Sequence, residues 1–185
     1  MDDDGPSPVA VTVEAGDWTT ALGDPLALAS RAVTAARRAT VAGTWLESAE
    51  VSLLLTDDAA VRALNARWRG QDRPTNVLSF PAHDLTPGST PRSLPGPAAA
   101  PPWLGDVVLG FETVAFEAAA EDRPLADHVS HLVVHGTLHL LGYDHQTEAD
   151  ARVMEDLERR ILAGLGVGDP YTAPAGPPGR PEMAR

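Results

Sequence analysis

The chain has 185 residues, 43% hydrophobic and 22% charged, which suits one globular domain with a real core. It contains no cysteine, so disulfides and thiolate metal sites are excluded and any metal must be held by His, Asp or Glu. The formal charge of −12 argues against broad electrostatic binding to nucleic acid, and from charge alone the local cluster Arg62, Arg67, Arg69, Arg73 reads as a solvated helix face.

The N-terminus, MDDDGPSPVA, is acidic and lacks an apolar core, so it does not read as a secretory signal. No apolar run of about 18 residues exists, so no transmembrane helix and a cytoplasmic protein are expected. Residues 8–14 are valine-rich and alternate, which predicts a first strand. Residues 26–41 have helical spacing, and residues 49–56 (AEVSLLLT) read as a second strand. Thr56, Asp57 and Asp58 offer N-caps to a helix ending near Arg69, with Val61, Leu64 and Trp68 on its apolar face. Residues 76–80 (NVLSF) predict a short strand, and the Pro-rich stretch 81–102 a long mobile loop inside the domain. Residues 104–111 predict another strand and residues 112–121 a short helix. Pro124 can open a helix running to about Leu141. A last helix spans 147–165, with Val153, Leu157, Ile161 and Leu165 on one face. The Pro/Gly-rich residues 168–185 predict a disordered tail behind a single domain, 1–167. Short strands followed by helices predict an α+β fold with a small mixed sheet.

The motif that carries chemistry is His135-Gly136-Thr137-Leu138-His139-Leu140-Leu141-Gly142-Tyr143-Asp144-His145. His135 and His139 occupy adjacent turns of one helix, and Gly142 permits the turn that returns His145 to them. Three neutral imidazoles with an open fourth position are the donor set of a catalytic zinc site. An isolated histidine on an apolar helix is ordinarily a satisfied core or surface residue. Here His131 extends the stripe by one turn, and unpaired buried imidazoles are costly, so metal binding accounts better for the cluster. His131 suits a group supporting the ligands or touching substrate, and an imidazole there suits proton transfer. The spacing also matches that of metzincin proteases, H-E-x-x-H-x-x-G-x-x-H, but Gly136 stands where they carry the glutamate base. Asp144 is the nearest further ligand candidate, and it reads instead as orienting a histidine or capping the turn.

The same eleven residues resemble the motif of the YbeY-type endoribonucleases, or rRNA maturation factors. Residues 64–81, LNARWRGQDRPTNVLSFP, resemble that family's LN-x-x-(Y/W)-R-x-x-D-x-P-T-(D/N)-VLSFP block, and Leu104-Gly105-Asp106-Val107-Val108-Leu109 its LGD strand. The resemblance covers about residues 9–165 and departs in the Pro-rich loop and the tail. It implies the family's α+β sandwich with one Zn2+ per chain at His135, His139 and His145. It further implies a single-strand-specific endoribonuclease that matures the 3′ end of small-subunit rRNA and serves ribosome quality control. The implied partners are single-stranded RNA, the small subunit and an assembly GTPase, without DNA or membrane. Arg69 matches the arginine of the family block and suits bidentate contact with a phosphate. Its bland alternative is an ion pair with Asp72. Asn76, Ser79 and Asp106 can line the cleft or satisfy nearby backbone. The rival readings are a metallopeptidase-like hydrolase and a non-catalytic, zinc-stabilised module that binds the ribosome.

Overall fold

The computed structural model describes residues 9–40, 49–88 and 103–172. Strands β1 (Val9–Val13), β2 (Glu50–Thr56) and β4 (Trp103–Gly110) run parallel, and β3 (Val77–Pro81) pairs antiparallel with β4. The order β1-β2-β4-β3 leaves β3 on an open edge. Six helices accompany the sheet among the described residues: α1 (Trp18–Leu22), α2 (Pro25–Thr40), α3 (Asp58–Arg69), α4 (Phe111–Ala120), α5 (Leu125–Leu140) and α6 (Glu148–Gly164). The small mixed sheet packed with helices is therefore present.

Helices α2 and α5 pack against one sheet face, and α6 packs on both of them. The main core lies there, with Val51, Leu53, Val107 and Leu109 of the sheet meeting Val33, Leu138 and Leu162. On the other face, Val61 and Leu64 of α3 cover Leu78, Val108 and Leu54. Strand β4 is covered on both sides, which explains its nearly unbroken apolar run. Asp57 caps α3 by accepting from the Ala60 amide at 2.8 Å, and Thr147 caps α6 through the Asp150 amide at 3.1 Å.

Several expectations change. Trp68 does not join the apolar face of α3: it is 61% exposed, because the last turn of that helix runs past the edge of the sheet. Val153 is likewise outside, and the buried stripe of α6 is Met154, Leu157, Glu158, Ile161 and Leu162. Helix α1 was unpredicted. Its Trp18 is fully buried, donating its indole N–H to the Thr56 carbonyl at 3.0 Å. The stretch expected as a loop from residue 81 starts ordered: Pro81 belongs to β3, the Ala82 amide bonds the Leu104 carbonyl at 2.9 Å, and Leu85 packs on the main core. Residues 89–102 lie outside the described residues. The expected tail from 168 has residues 169–172 folded back on the protein, where Arg123 donates to the Pro170 carbonyl at 2.6 Å. Residues 173–185 lie outside the described residues, as do Pro8 and Val41. No described helix is long and apolar enough to cross a membrane.

Helix α5 lies unusually close to the sheet at Gly136. A Cβ there would meet Val107 at 2.7 and 3.0 Å and the Ser79 hydroxyl at 3.1 Å. Alanine would gain about 1 kcal/mol of helix propensity, but overpacking against a stiff valine costs about 1–3 kcal/mol. Gly136→Ala should therefore lower stability in urea unfolding. The loss should shrink when Val107→Ala opens the space, measured against Val107→Ala alone.

Candidate metal centre

Most of α5 is buried, and its His131, His135 and His139 recur every fourth residue along one face. The helix ends at a turn in which the Tyr143 amide bonds the Leu138 carbonyl at 3.0 Å. Gly142 holds φ +88°, and a Cβ on it would lie 2.1 Å from the Leu85 carbonyl oxygen. Only glycine fits that turn. Beyond it Asp144 accepts from the His145 amide at 2.7 Å, so Asp144 caps the turn. The His145 ring then sits with its centroid 5.0 Å from that of His139 and 5.6 Å from that of His135. One nitrogen from each of the three histidines lies within 4.8 Å of the other two.

Second partners set the tautomers. The Nδ1–H of His139 donates to the Tyr143 carbonyl at 3.0 Å, and that of His135 to Glu158 Oε1 at 2.7 Å. Each ring therefore turns an Nε2 lone pair inward, and the two Nε2 atoms stand 3.1 Å apart. Two lone pairs that close repel each other unless a cation lies between them. Nitrogens bound tetrahedrally to one ion at about 2.0–2.1 Å lie about 3.3 Å apart. The donor set fits a metal ion, with His145 as the third ligand.

Glu158, which the sequence reading passed over, anchors this centre. It lies on α6, is fully buried, and accepts from His131 Nε2 at 3.2 Å, from His135 Nδ1 and from the Tyr171 hydroxyl. Burial pushes its carboxyl up, but the hydrogen bonds from His131, His135 and Tyr171 outweigh that and hold it at about 2. His131, His135 and Glu158 could by their spacing also gather an ion. Their facing atoms are already joined by hydrogen bonds, so this triad serves the first centre. A signal for Glu158 existed in the sequence: an acid four residues after Met154 and three before Ile161, inside the apolar stripe of α6.

His139 and His145 line a cleft of about 730 Å³, with His135 beside them, and the lining also includes Arg69 and Ser79. Arg69 donates to the Ser79 carbonyl at 3.3 Å. Its alternative partner, Asp72, is held instead by Arg62 at 2.6 and 2.8 Å. Arg69 thus has no carboxylate partner among the described residues and faces the metal site. His131 is not among the residues lining this cleft and meets the site through Glu158. Asn76 takes its structural reading, accepting from the Val77 amide at 2.7 Å and donating to Glu117 at 3.0 Å. Asp106 sits in the sheet beside Ser52 and Phe80, with its carboxyl raised by burial. A groove of about 780 Å³ between α2 and α6 contains none of the histidines.

A model of the Endoribonuclease YbeY family matches residues 22–166. The chain belongs to the YbeY family. It is 49% identical over 167 residues to Endoribonuclease YbeY of Azorhizobium caulinodans, covering 90% of this chain and 98% of that protein. Identity to the YbeY of Chelativorans sp. is 51% over 161 residues, 86% of this chain and 90% of that one. To the YbeY of Rhodopseudomonas palustris it is 58% over 123 residues, 66% and 67% of the two chains. The YbeY match contains Arg69, all three candidate ligands and Glu158; Tyr171 falls just beyond it.

Glu158→Gln keeps the shape but exchanges an ionised acceptor for an amide. It should weaken metal binding about 10- to 100-fold in chelator competition, with the fold intact by circular dichroism. A second prediction concerns acid. Burial, then electrostatic repulsion from the His135 and His145 rings, lowers His139 from 6.5 to about 4. The unfolded chain therefore takes up that proton before the folded one does, and acidification between these values favours unfolding. In chelated protein the urea midpoint should fall across pH 6.5 to 4, with a shallower slope in His139→Gln. Glu158 acts in a lower window: its depressed pKa contributes stability above about 4.5 that disappears as the pH falls towards 2.

Proposed function

We propose that this chain is a zinc-dependent, single-strand-specific endoribonuclease acting on ribosomal RNA, at the 3′ end of the small-subunit species. The observation that carries the reading is a three-imidazole donor set, two of whose histidines line one cleft together with the carboxylate-free Arg69. Three neutral nitrogen donors without thiolate suit zinc. Such an ion supplies Lewis-acid polarisation of a phosphate oxygen or a water made acidic enough to attack. The remaining work belongs to this chain's residues. Arg69 binds and orients the scissile phosphate through its planar donors. Glu158 holds His135 in the tautomer that offers Nε2 inward, and Tyr143 does the same for His139. His131 acts through Glu158, so a proton passing to or from it travels by that carboxylate.

Two features weigh against the peptidase alternative. Gly136 has no room for the glutamate base, since even a Cβ would crowd Val107. Peptide docking along the open edge of β3 would also be handicapped. The antiparallel ladder alternates, so Val77, Ser79 and Pro81 turn their backbone groups away from β4. Arg69 already holds the Ser79 carbonyl, and Pro81 has no N–H. A purely structural zinc normally has four protein ligands, whereas three converge here. With a net charge of −12, the isolated chain should bind naked RNA weakly at physiological salt. The small ribosomal subunit, with an assembly GTPase, would then bring the substrate to the cleft in the cytoplasm.

The test mixes metal-replete protein with single- and double-stranded RNA. Wild type should cleave the single strand, and His135→Ala should lose both metal and cleavage. Arg69→Ala should keep its metal and lose about 100- to 1,000-fold in rate. A protein that binds no stoichiometric zinc, or cleaves neither RNA, overturns this reading. Turnover of casein would restore the peptidase.

A further inference from the structure

Trp68 is a large apolar side chain that the fold leaves exposed next to Arg69. It is 61% exposed on the last turn of α3, where Gly70 ends the helix in a left-handed conformation. It is nevertheless held in place. Its ring meets Phe80 edge-on with centroids 6.4 Å apart, and the Arg67 guanidinium stands 5.2 Å from its centroid. Arg69, the next residue, reaches the Ser79 carbonyl, one step along β3 from Phe80. That step is about 3.3 Å. The end of α3 thus reaches the edge strand with two neighbouring side chains, Arg69 lining the metal cleft and Trp68 against Phe80. Arg67, Arg69 and Arg73 have no carboxylate partner among the described residues, so this strip is locally basic in an acidic chain.

We propose that Trp68, backed by Phe80 and flanked by Arg67, is a stacking subsite for an unpaired nucleobase next to the phosphate held at Arg69. The proposal rests on the endoribonuclease reading and gives it a physical basis for strand selectivity. An exposed indole offers a flat face on which any base can stack, whatever its sequence. Bases in a duplex are stacked on one another and have no face to offer, so the platform favours single strands. Arg67, which lies over one part of the ring, and Arg69, at the Ser79 carbonyl, would neutralise phosphates next to a base stacked on the exposed part of the indole. A protein partner would also bury Trp68, but three arginines without carboxylate partners in and just after one helix end, one of them lining the cleft, match a polyanion better.

The experiment uses the full chain loaded with zinc and a single-stranded RNA oligonucleotide. Trp68→Ala should raise KM about 5- to 100-fold, with a smaller effect on kcat, and Trp68→Phe should recover most of the loss. Because the side chain is mostly exposed, equal unfolding midpoints should accompany these changes. In wild type, an abasic nucleotide scanned through the substrate should raise KM at one position near the cleaved bond. In Trp68→Ala the same abasic site should add little. Wild-type KM in Trp68→Ala, or equal sensitivity to the abasic site in both proteins, overturns the subsite and leaves Trp68 as a protein contact. Absence of RNA cleavage by wild type overturns the endoribonuclease reading and the subsite with it.

Discussion

An ionised carboxylate, buried where α5 meets α6, is what the site depends on. Removing a carboxylate from water costs several kcal/mol. Glu158 recovers this from three donors, His131, His135 and Tyr171, each hydrogen bond to a charged acceptor being worth about 1.5–3 kcal/mol. The sum favours the ionised form, in agreement with a carboxyl held at about 2. An ionised Glu158 fixes His135 with its proton on Nδ1, which leaves Nε2 free to bind metal. The same bonds tie α5 to α6 and bring the segment around Tyr171 down beside them, so the packing of the helices and the chemistry of the site are one arrangement.

The second constraint is the close approach of α5 to the sheet. Gly136 lets the helix sit against Val107 and Ser79, which sets the histidines near the edge strand β3. Because β3 is the edge, no further strand among the described residues pairs beyond it, and α3 on the opposite face supplies Arg69. The cleft is therefore built from both sides of one sheet: ligands from the helix on one face, a cation from the helix on the other. Gly136 has two consequences at once. It permits the approach, and it removes the position at which a metzincin carries its general base.

The parts of this site that could be read from the sequence are those fixed by local geometry. His135 and His139 are four residues apart on one helix, and the Gly142 turn that returns His145 follows from the same stretch. Glu158 was hidden because it lies 23 residues from His135, and because the expected stripe of α6, right at Leu157 and Ile161, began at the exposed Val153 and left out Met154. Its place among buried residues was the available clue. Arg69 was found by likeness to a family block, and its ion-pair alternative was decided by Arg62, whose claim on Asp72 depends on how the chain turns after α3. Trp68 was misplaced for a different reason. Its spacing from Val61 and Leu64 is helical, but periodicity does not say where the neighbouring sheet stops. Helix α1, at five residues, is too short for any periodic signal.

The charge distribution joins these observations. A chain with 26 acidic and 14 basic residues cannot draw RNA in by its overall field. It can hold a strand only where its few cations are not spent on its own carboxylates. Arg62, Arg123, Arg152 and Arg159 are spent in this way on the surface. Arg67, Arg69 and Arg73, all within or just after the end of α3, are not, and neither are Arg31, Arg38 and Arg160 along the groove between α2 and α6. Of these two groups, the one at the end of α3 stands by the histidine cleft, where stacking supplements a small number of phosphate contacts. Such a surface binds weakly in general and selectively in particular, which suits an endonuclease whose substrate must be presented to it unpaired.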